Sequence, residues 1–213
     1  MIEIEYKGAN AITIKSNQGK IVVDPNLSMV NLKNLKSTDS IELSTEDRFS
    51  LKDADSTVVI NGPGEYGVAD FDIAGFSALR HIDGEGDEKL STIYRVEIGS
   101  EARIGVIGNI ASKLSDDQYE GLGVLDILII PVGGNGYTLD AKDAATIVRN
   151  IEPKVVIPVS YSDSGIKYEV PQDDVELFIK ELGTQNVDKT NKYKVKSASA
   201  LPEMLTVVQI ERS

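Results

Sequence analysis

The segment DILIIPVGG, residues 126–134, decides how the rest of the chain is interpreted. Its nearly continuous apolar run from Ile127 to Val132 is typical of a strand that is buried on both faces. The following segment, about Asp140 to Ile151, has apolar residues at the i, i+3, i+4 and i+7 spacing of an amphipathic helix, with Thr138 or Asp140 as its N-cap. A buried strand followed by a covering helix indicates an α/β architecture.

Similar units lie on both sides of this segment. Ile104 to Ile107 and Val155 to Val159 are short apolar runs that also suit buried strands. A second helix is predicted from about Asp173 to Leu182, where Gly183 ends it, and Leu205 to Glu211 is predicted to be a closing strand. The second half of the chain therefore alternates strands with helices.

The first half of the chain has a different pattern. Short runs with a two-residue period, each bounded by turn-forming residues, predict antiparallel strands. These runs are Ile2 to Tyr6, Ala11 to Lys15, Lys20 to Val23, Thr57 to Ile60 and Thr92 to Ile98. Because no Pro/Ser-rich linker separates the two halves, the sequence predicts one α/β domain that spans residues 1–213.

Composition excludes several classes of partner and chemistry. The 34 acidic and 22 basic residues give a formal charge of -12, which repels nucleic acids and anionic membranes. Four lysines near the end alternate with other residues, and we interpret them as the solvent-facing side of a strand: Lys189, Lys192, Lys194 and Lys196. The chain has no cysteine, which excludes disulfides and thiolate sites, and it has no long apolar run or signal-like N-terminus. A cytoplasmic protein is expected.

Six phrases of the sequence carry a resemblance. In chain order they are GAN (8–10), IVVDP (21–25), NGPGEY (61–66), IGN (107–109), DILIIPVGG (126–134) and PKVVIPVSY (153–161). Their order and spacing, over about residues 1–165, resemble the small bacterial branch of the metallo-β-lactamase fold, whose members are labelled zinc-dependent hydrolases. This resemblance implies a four-layer α/β/β/α sandwich in a single domain.

The same resemblance implies where a metal site would lie. In that family, one or two divalent metals are held by a His-x-His-x-Asp-His motif, a later histidine, a bridging aspartate and a final histidine, and they activate a water molecule. On this chain the corresponding positions are Thr45, Asp47, Phe49, Ser50, Val106, Asn109 and Ser160. Valine and phenylalanine have no lone pair to donate to a metal. The resemblance therefore implies the fold but argues against metal-dependent hydrolysis, so no metal, cofactor or catalytic residue is predicted.

A non-catalytic family member is the leading hypothesis. Its relic cleft would be formed by Asp24, Thr45, Asp47, Glu65, Asn109, Ser160 and Tyr161. A small-ligand function predicts an open pocket at these residues, whereas a function in binding a protein partner predicts a filled cleft and an exposed apolar patch. The sequence does not choose between the two, and it leaves a homo-oligomer open.

The competing hypothesis is an enzyme. A hydrolase of an ester, lactone or phosphodiester would need a rebuilt metal site, with oxygen ligands from Asp24, Asp47 and Glu65 and perhaps a nitrogen from His81. Such a site would favour magnesium or manganese over zinc. Bound metal close to those oxygens would support the enzyme.

Two polar patterns adjoin one another near residue 81. His81, the single histidine, could act as a general base oriented by Asp83, or it could be a structural or surface histidine. Asp83, Glu85 and Asp87 alternate like the start of a calcium loop, but the glycine and glutamate that an EF-hand needs later in the loop are missing. A solvated acidic hairpin tip is the simpler interpretation.

Three further patterns could mark functional residues, and each also has a simpler structural interpretation. Ser160 could be a nucleophile, but no histidine is placed beside it, so a polar lining role is simpler. The match of Ser164 to Lys167 to a Ser-x-x-Lys motif is expected by chance. The loop from Gly133 to Tyr137 could present backbone N–H groups to an anion, or it could be a plain strand-to-helix connection at the rim of the cleft.

Overall fold

The computed structural model describes residues 1–81 and 90–213, and within them the chain forms two β-sheets and three α-helices. The first sheet has the strand order β13 (Tyr193–Val195), β1 (Ile2–Gly8), β2 (Ala11–Lys15), β3 (Lys20–Val23), β4 (Ile41–Leu43) and β5 (Val58–Ile60). The second has the order β12 (Val187–Thr190), β14 (Thr206–Ile210), β11 (Val155–Val159), β10 (Ile127–Pro131), β9 (Ala102–Val106), β8 (Leu90–Ile98), β7 (Phe71–Leu79) and β6 (Gly64–Val68). The helices are α1 (Asp116–Leu122), α2 (Ala141–Ile151) and α3 (Val175–Leu182).

The predicted opening meander is confirmed. Strands β1, β2 and β3 pair antiparallel, and alternation along β1 sends one set of side chains into the core and the other set outward. The outward Glu3 and Glu5 form ion pairs with Lys192, and Lys194 also pairs with Glu3. These two lysines lie at or beside β13, the edge strand next to β1, so this part of the lysine run is solvent-facing, as the alternation predicted.

One strand prediction was wrong in direction. The segment Thr57 to Ile60 forms β5, but β5 pairs parallel to β4, and β4 itself was missed. The segment between β3 and β5 contains two 3-10 turns, Ser28–Val30 and Asp47–Phe49. It folds over the outer face of the first sheet, where it buries Glu42 completely.

The centre of the second sheet has the buried parallel strands that the apolar runs predicted. Strand β10 pairs parallel with both β9 and β11, and β11 pairs parallel with β14. Every residue of β10 and β11 is buried. Strand β6 follows the turn of the NGPGEY phrase, as expected, whereas β7 was missed because its glycine and small residues hide the usual strand pattern.

The two predicted helices are confirmed. Asp140 caps α2 by accepting a hydrogen bond from the Asp143 backbone N–H, and Gly183 ends α3 in the left-handed conformation. Helix α1 was not predicted, although Ser115 and Gln118 form a complete capping box at its start. Helix α2 packs against β10 and α3, and α1 packs against β7.

The predicted fold class is confirmed: two packed sheets enclose the main hydrophobic core, and helices cover the second sheet. Over the first sheet, the segment that connects β3 with β5 supplies the outer layer. Within the described residues, no helix is both long enough and apolar enough to cross a membrane.

Candidate functional site

The loops that follow several strands meet at one end of the sandwich. Asp24 follows β3, Asn109 comes shortly after β9, and Ser160 follows β11, while Asn10 lies in the turn between β1 and β2. Together they border a small internal cavity, in which about 20 Å³ is available to the centre of a water molecule. This is room for roughly one water molecule. The lining consists of Ala9, Asn10, Asp24, Asn26, Leu27, Met29, Val30, Phe49, Asn109, Tyr137, Ser160 and Tyr168.

Asp24 is the buried carboxylate of this cavity. Its side chain accepts hydrogen bonds from the backbone N–H and from the hydroxyl of Thr45, both at 2.7 Å. The residue is 2% exposed, and its backbone is in the left-handed conformation, with φ of 47°. Burial raises the pKa of Asp24 to about 7, against the hydrogen bonds from Thr45, which lower it. Both carboxylate oxygens therefore have a structural partner.

Thr45 is fixed from several directions. Its carbonyl oxygen accepts hydrogen bonds from the Ser91 hydroxyl at 3.1 Å and from the Thr92 N–H at 2.8 Å. A Cβ atom on Gly108 would lie 2.5 Å from the Thr45 hydroxyl oxygen, so only glycine allows this close approach. Thr45, which the resemblance aligns with the first ligand of the family motif, thus links the ends of β3 and β4 to β8.

A pair of amides replaces the bridging carboxylate that the resemblance implies. The Asn10 side-chain N–H donates to Asn109 Oδ1 at 3.0 Å, and both residues are buried. Among the described residues, Asn10 Oδ1 and Asn109 Nδ2 have no well-aligned partner. The Asn109 side chain lies near enough to Glu46 to offset part of the rise that burial causes in the pKa of that carboxyl. Ser160, which the resemblance aligns with the family's final histidine, has φ of 50°, and its backbone N–H donates to Ala9 O.

The loop after β4 carries a nearly buried carboxylate between two guanidinium groups. Glu46 is 5% exposed and forms ion pairs with Arg48 at 2.7 Å and with Arg80 at 3.1 Å. Burial raises the pKa of Glu46, and the charge of Arg48 acts against this effect. The Arg48 guanidinium also lies over two aromatic rings, 4.7 Å from the Phe49 centroid and 5.5 Å from the Tyr137 centroid.

The other end of the same loop is held by Glu42. Its carboxylate accepts hydrogen bonds from the Ser50 hydroxyl at 2.5 Å, and from the N–H groups of Leu51 at 2.8 Å and Lys52 at 2.9 Å. Longer bonds come from Asp53 N–H and from the Ser37 hydroxyl. Burial raises the pKa of Glu42, but these hydrogen bonds together outweigh it, and the pKa is lowered. Ser50, at a family histidine position, is therefore occupied in holding the loop.

A wider groove lies outside the small cavity. It has a volume of about 430 Å³ and is lined by Thr45, Glu46, Asp47, Arg48, Asn61, Gly62, Pro63, Ser77, Arg80, Leu90, Ser91 and Thr92. Asp47 lies here and is exposed; it accepts a hydrogen bond from Asn61 and pairs with Lys52. We call this feature the outer groove.

The remaining predicted cleft residues lie elsewhere. Glu65 is exposed on β6 and borders a separate surface depression beside Arg95. Tyr161 does not line the cavity; its ring stacks on Tyr6 with centroids 5.8 Å apart. Val106 is packed in the main core rather than at the cavity. Thus the structure brings together Asp24, Thr45, Asn109 and Ser160 from the predicted set.

The other polar patterns have separate surroundings. The backbone N–H of His81 donates to Asn109 O at 3.0 Å. Burial raises the pKa of Asp143, which lies near His81. Its predicted partner Asp83, and with it the calcium-loop pattern of Asp83, Glu85 and Asp87, lies outside the described residues.

The glycine-rich loop before α2 is bonded within the protein. Asp173 N–H donates to Gly133 O, and the Asn135 side chain donates to the Asp173 carboxylate. These bonds favour the interpretation of Gly133 to Tyr137 as a strand-to-helix connection. Near Ser164, the Gly165 N–H donates to the Asp163 carboxylate, which also pairs with Arg212.

Among the residues that the structure describes, the side chains at the candidate site do not form a ligand set for a divalent metal. Across residues 1–81 and 90–213, no group of three or more histidine, aspartate or glutamate side chains could hold a metal ion. This includes Asp24, Asp47, Glu65 and His81, which lie at separate places. At the ligand positions, Thr45 and Ser50 donate their hydroxyls to carboxylates, while Phe49 offers only a hydrocarbon ring.

Residues 3–160 match the profile of the β-lactamase superfamily domain. The chain belongs to the metallo-β-lactamase-fold family. A UPF0173 metal-dependent hydrolase of Pyrococcus horikoshii is 24% identical to this chain. The match covers 76% of this chain and 85% of the relative. A UPF0173 protein of Pyrococcus abyssi is 28% identical over 51% of this chain, a match that spans 60% of that relative.

Solved structures of metallo-β-lactamase-fold proteins have the same architecture. A proposed zinc-dependent hydrolase of the superfamily from Thermotoga maritima superimposes with a TM-score of 0.78 at 22% identity, covering 100% of both chains. A metallo hydrolase from Ignicoccus hospitalis gives a TM-score of 0.67 at 16% identity, covering 99% of this chain and 95% of that one. At these identities the likeness shows the fold alone.

Four polar residues of this family member were missed from the sequence: Asn10, Glu46, Arg48 and Arg80. Glu46 and Arg48 lie within the segment that the resemblance aligns with the ligand motif. Their opposite charges, two residues apart, could have indicated an ion pair. Arg80 lies far away in the sequence, and no local pattern marks its pairing with Glu46. Asn10 was noted only as part of the resemblance.

Proposed function

We propose that this protein is a non-catalytic member of the metallo-β-lactamase-fold family, and that it binds a protein partner through the outer groove. The observation that carries the proposal is that structural interactions involve the residues that the resemblance aligns with metal ligands. Thr45 is bonded to Asp24, Ser50 to Glu42 and Asn109 to Asn10, while Phe49 forms part of the cavity wall.

The size of the inner cavity supports this proposal. A cavity for roughly one water molecule cannot admit an ester, a lactone or a phosphodiester. A filled cleft is what a partner-binding protein was expected to have, whereas a small-ligand protein was expected to have an open pocket. The outer groove, at about 430 Å³, is the larger concave surface beside the former site.

Exposed apolar side chains next to the outer groove favour a protein partner. Leu79 and Leu90 face one another across β7 and β8, and they are 65% and 62% exposed. Leu90 lines the outer groove together with polar and charged residues. Apolar anchors surrounded by polar groups are typical of protein-binding surfaces.

The alternative function is a metal-dependent hydrolase, and membership of the family is the observation in its favour. The Pyrococcus horikoshii relative is named a metal-dependent hydrolase. In this chain the four residues of the rebuilt site, Asp24, Asp47, Glu65 and His81, do not form a group that could hold a metal. The first experiment must therefore decide between the two.

That experiment is a measurement of metal content on protein purified without chelator, followed by thermal melts with zinc, manganese and magnesium. A tight metal site would raise the melting temperature, because ligand binding stabilises the folded state. We expect no stoichiometric metal and no shift. Near-stoichiometric metal, with hydrolysis that depends on it, would establish the alternative.

A variant with restored ligands is the matched control. It changes six of the seven aligned positions and leaves Val106, which is packed in the core: Thr45→His, Asp47→His, Phe49→Asp, Ser50→His, Asn109→Asp and Ser160→His. If it folds by circular dichroism, we expect it to bind zinc where the native sequence does not.

Partner binding has a separate test. The double variant Leu79→Ser/Leu90→Ser should lose co-purifying proteins that the native chain retains, while Leu177→Ser, an exposed leucine on α3, should keep them. Identical sets of bound proteins for all three would argue against the outer groove.

A further inference from the structure

We propose that, beside the positions that the resemblance aligns with metal ligands, the protein has a guanidinium-binding site whose ligand is its own Arg48. The inference rests on the proposed function, since it identifies the cation that has taken over the structural role of the metals. Arg48 is the built-in ligand of this site, and the residues that recognise it are Glu46, Phe49 and Tyr137.

The contacts of Arg48 are those of guanidinium recognition. Its Nε and Nη2 donate to the two carboxylate oxygens of Glu46, at 2.7 and 3.3 Å. The flat face of the group lies over the rings of Phe49 and Tyr137. A carboxylate fork combined with aromatic faces suits a planar, delocalised cation better than an ammonium group.

The Arg48 side chain separates the inner cavity from the outer groove, and we call it the plug for this reason. Phe49 and Tyr137 line the inner cavity, whereas Glu46 and Arg48 line the outer groove. The Arg48 side chain therefore stands between the two spaces. Its side chain is 24% exposed, and that of Glu46 is 4% exposed, so the pair is largely shielded from water.

The plug also joins parts of the chain that are far apart in sequence. Arg48 belongs to the loop after β4, and Tyr137 belongs to the loop after β10. Glu46 extends the connection to the end of β7 through its ion pair with Arg80. Metal ions join the strand-end loops in relatives with the ligand motif. In this chain, ion pairing and ring stacking make the corresponding connections.

Chemical rescue tests this assignment. The variant Arg48→Ala should melt several degrees below the native protein, because the buried Glu46 carboxylate would lose the two-bond contact with Arg48 and keep only its ion pair with Arg80. Methylguanidinium at millimolar concentration should enter the vacated site and raise the melting temperature of this variant by about 2–4 °C, with saturation. Tetramethylammonium at equal ionic strength should not, because it has no N–H group to donate to Glu46.

Two controls separate specific rescue from general salt effects. The native protein, whose site is filled, should show no saturable stabilisation by methylguanidinium. Lys52→Ala, which removes an exposed partner of Asp47, should show none either. Equal rescue by both cations, or equal stabilisation of all three proteins, would overturn the proposal.

Arg48→Lys covers the case in which Arg48→Ala does not fold. Lysine keeps the charge but lacks the planar fork, so this variant should be less stable than the native protein. A melting temperature equal to that of the native protein would overturn the assignment. Metal found in the native protein would instead contradict the proposed function, so the two failures are distinguishable.

Discussion

Replacing Asp24 by asparagine should remove a pH dependence of stability. Asp24 is buried, its carboxylate is bonded only to Thr45 among the described contacts, and burial raises its pKa to about 7 from 3.8. Between these two pH values the folded protein keeps a proton that the unfolded chain has released. Its free energy of unfolding therefore falls as the pH rises through this window.

The magnitude follows from the width of the window. Each pH unit is worth about 1.4 kcal/mol, so Asp24 should cost the folded state about 4 kcal/mol once it is ionised above pH 7. Of this cost, about 2 kcal/mol develops between pH 5.5 and pH 8, the interval that the experiment covers. An asparagine at position 24 can still accept from the Thr45 N–H and can donate to the Thr45 hydroxyl oxygen, so the local geometry is retained.

Urea unfolding at pH 5.5 and pH 8 would measure this difference. We expect the native protein to lose about 2 kcal/mol relative to Asp24→Asn over this interval. Asp47→Asn is the control, because Asp47 is exposed and its pKa is lowered by Lys52. The same pH dependence in the native protein and Asp24→Asn would refute the argument and show that Asp24 is ionised without penalty.

Three other substitutions test the framework of the site. Glu42→Gln should lower the free energy of unfolding by about 2–4 kcal/mol in urea titrations at pH 7, since a side-chain amide would face donors that now bond a carboxylate. The loss should shrink as the pH falls below 4.5, because Glu42 of the unfolded native chain then takes up a proton while the folded carboxylate, whose pKa is lowered, does not. Gly108→Ala should lower the melting temperature by several degrees, because the added Cβ would lie 2.5 Å from the Thr45 hydroxyl oxygen. Asp140→Ala should cost about 1 kcal/mol by removing the N-cap of α2, and a larger loss in urea unfolding would mean that this loop has a further role.

Much of the architecture could be predicted from the sequence. Local patterns identified the buried strands from Ile127 and Val155 and the helix capped by Asp140, because burial on both faces and helical periodicity leave direct marks on the residue types. The direction of β5 could not be predicted in this way, because parallel pairing is set by where the intervening segment places the strand.

The candidate site was predictable only in part. The resemblance aligned Thr45, Phe49, Asn109 and Ser160 with positions that normally bind metals, and these residues do meet at one end of the sandwich. It also aligned Val106, which lies in the core, because an alignment gives positions along a strand but not the surroundings of a side chain.

The sequence by itself determined the buried central strands, the helices α2 and α3, and the resemblance to the family. It also has no histidine at the positions that this resemblance aligns with metal ligands. Only the tertiary structure decided what the replacing residues do. Glu46 and Arg80 are separated by a long stretch of chain, and the pocket around Arg48 takes its rings from two different loops. Such pairings depend on distances in space, which the packing of the two sheets sets and which no local pattern of residues encodes.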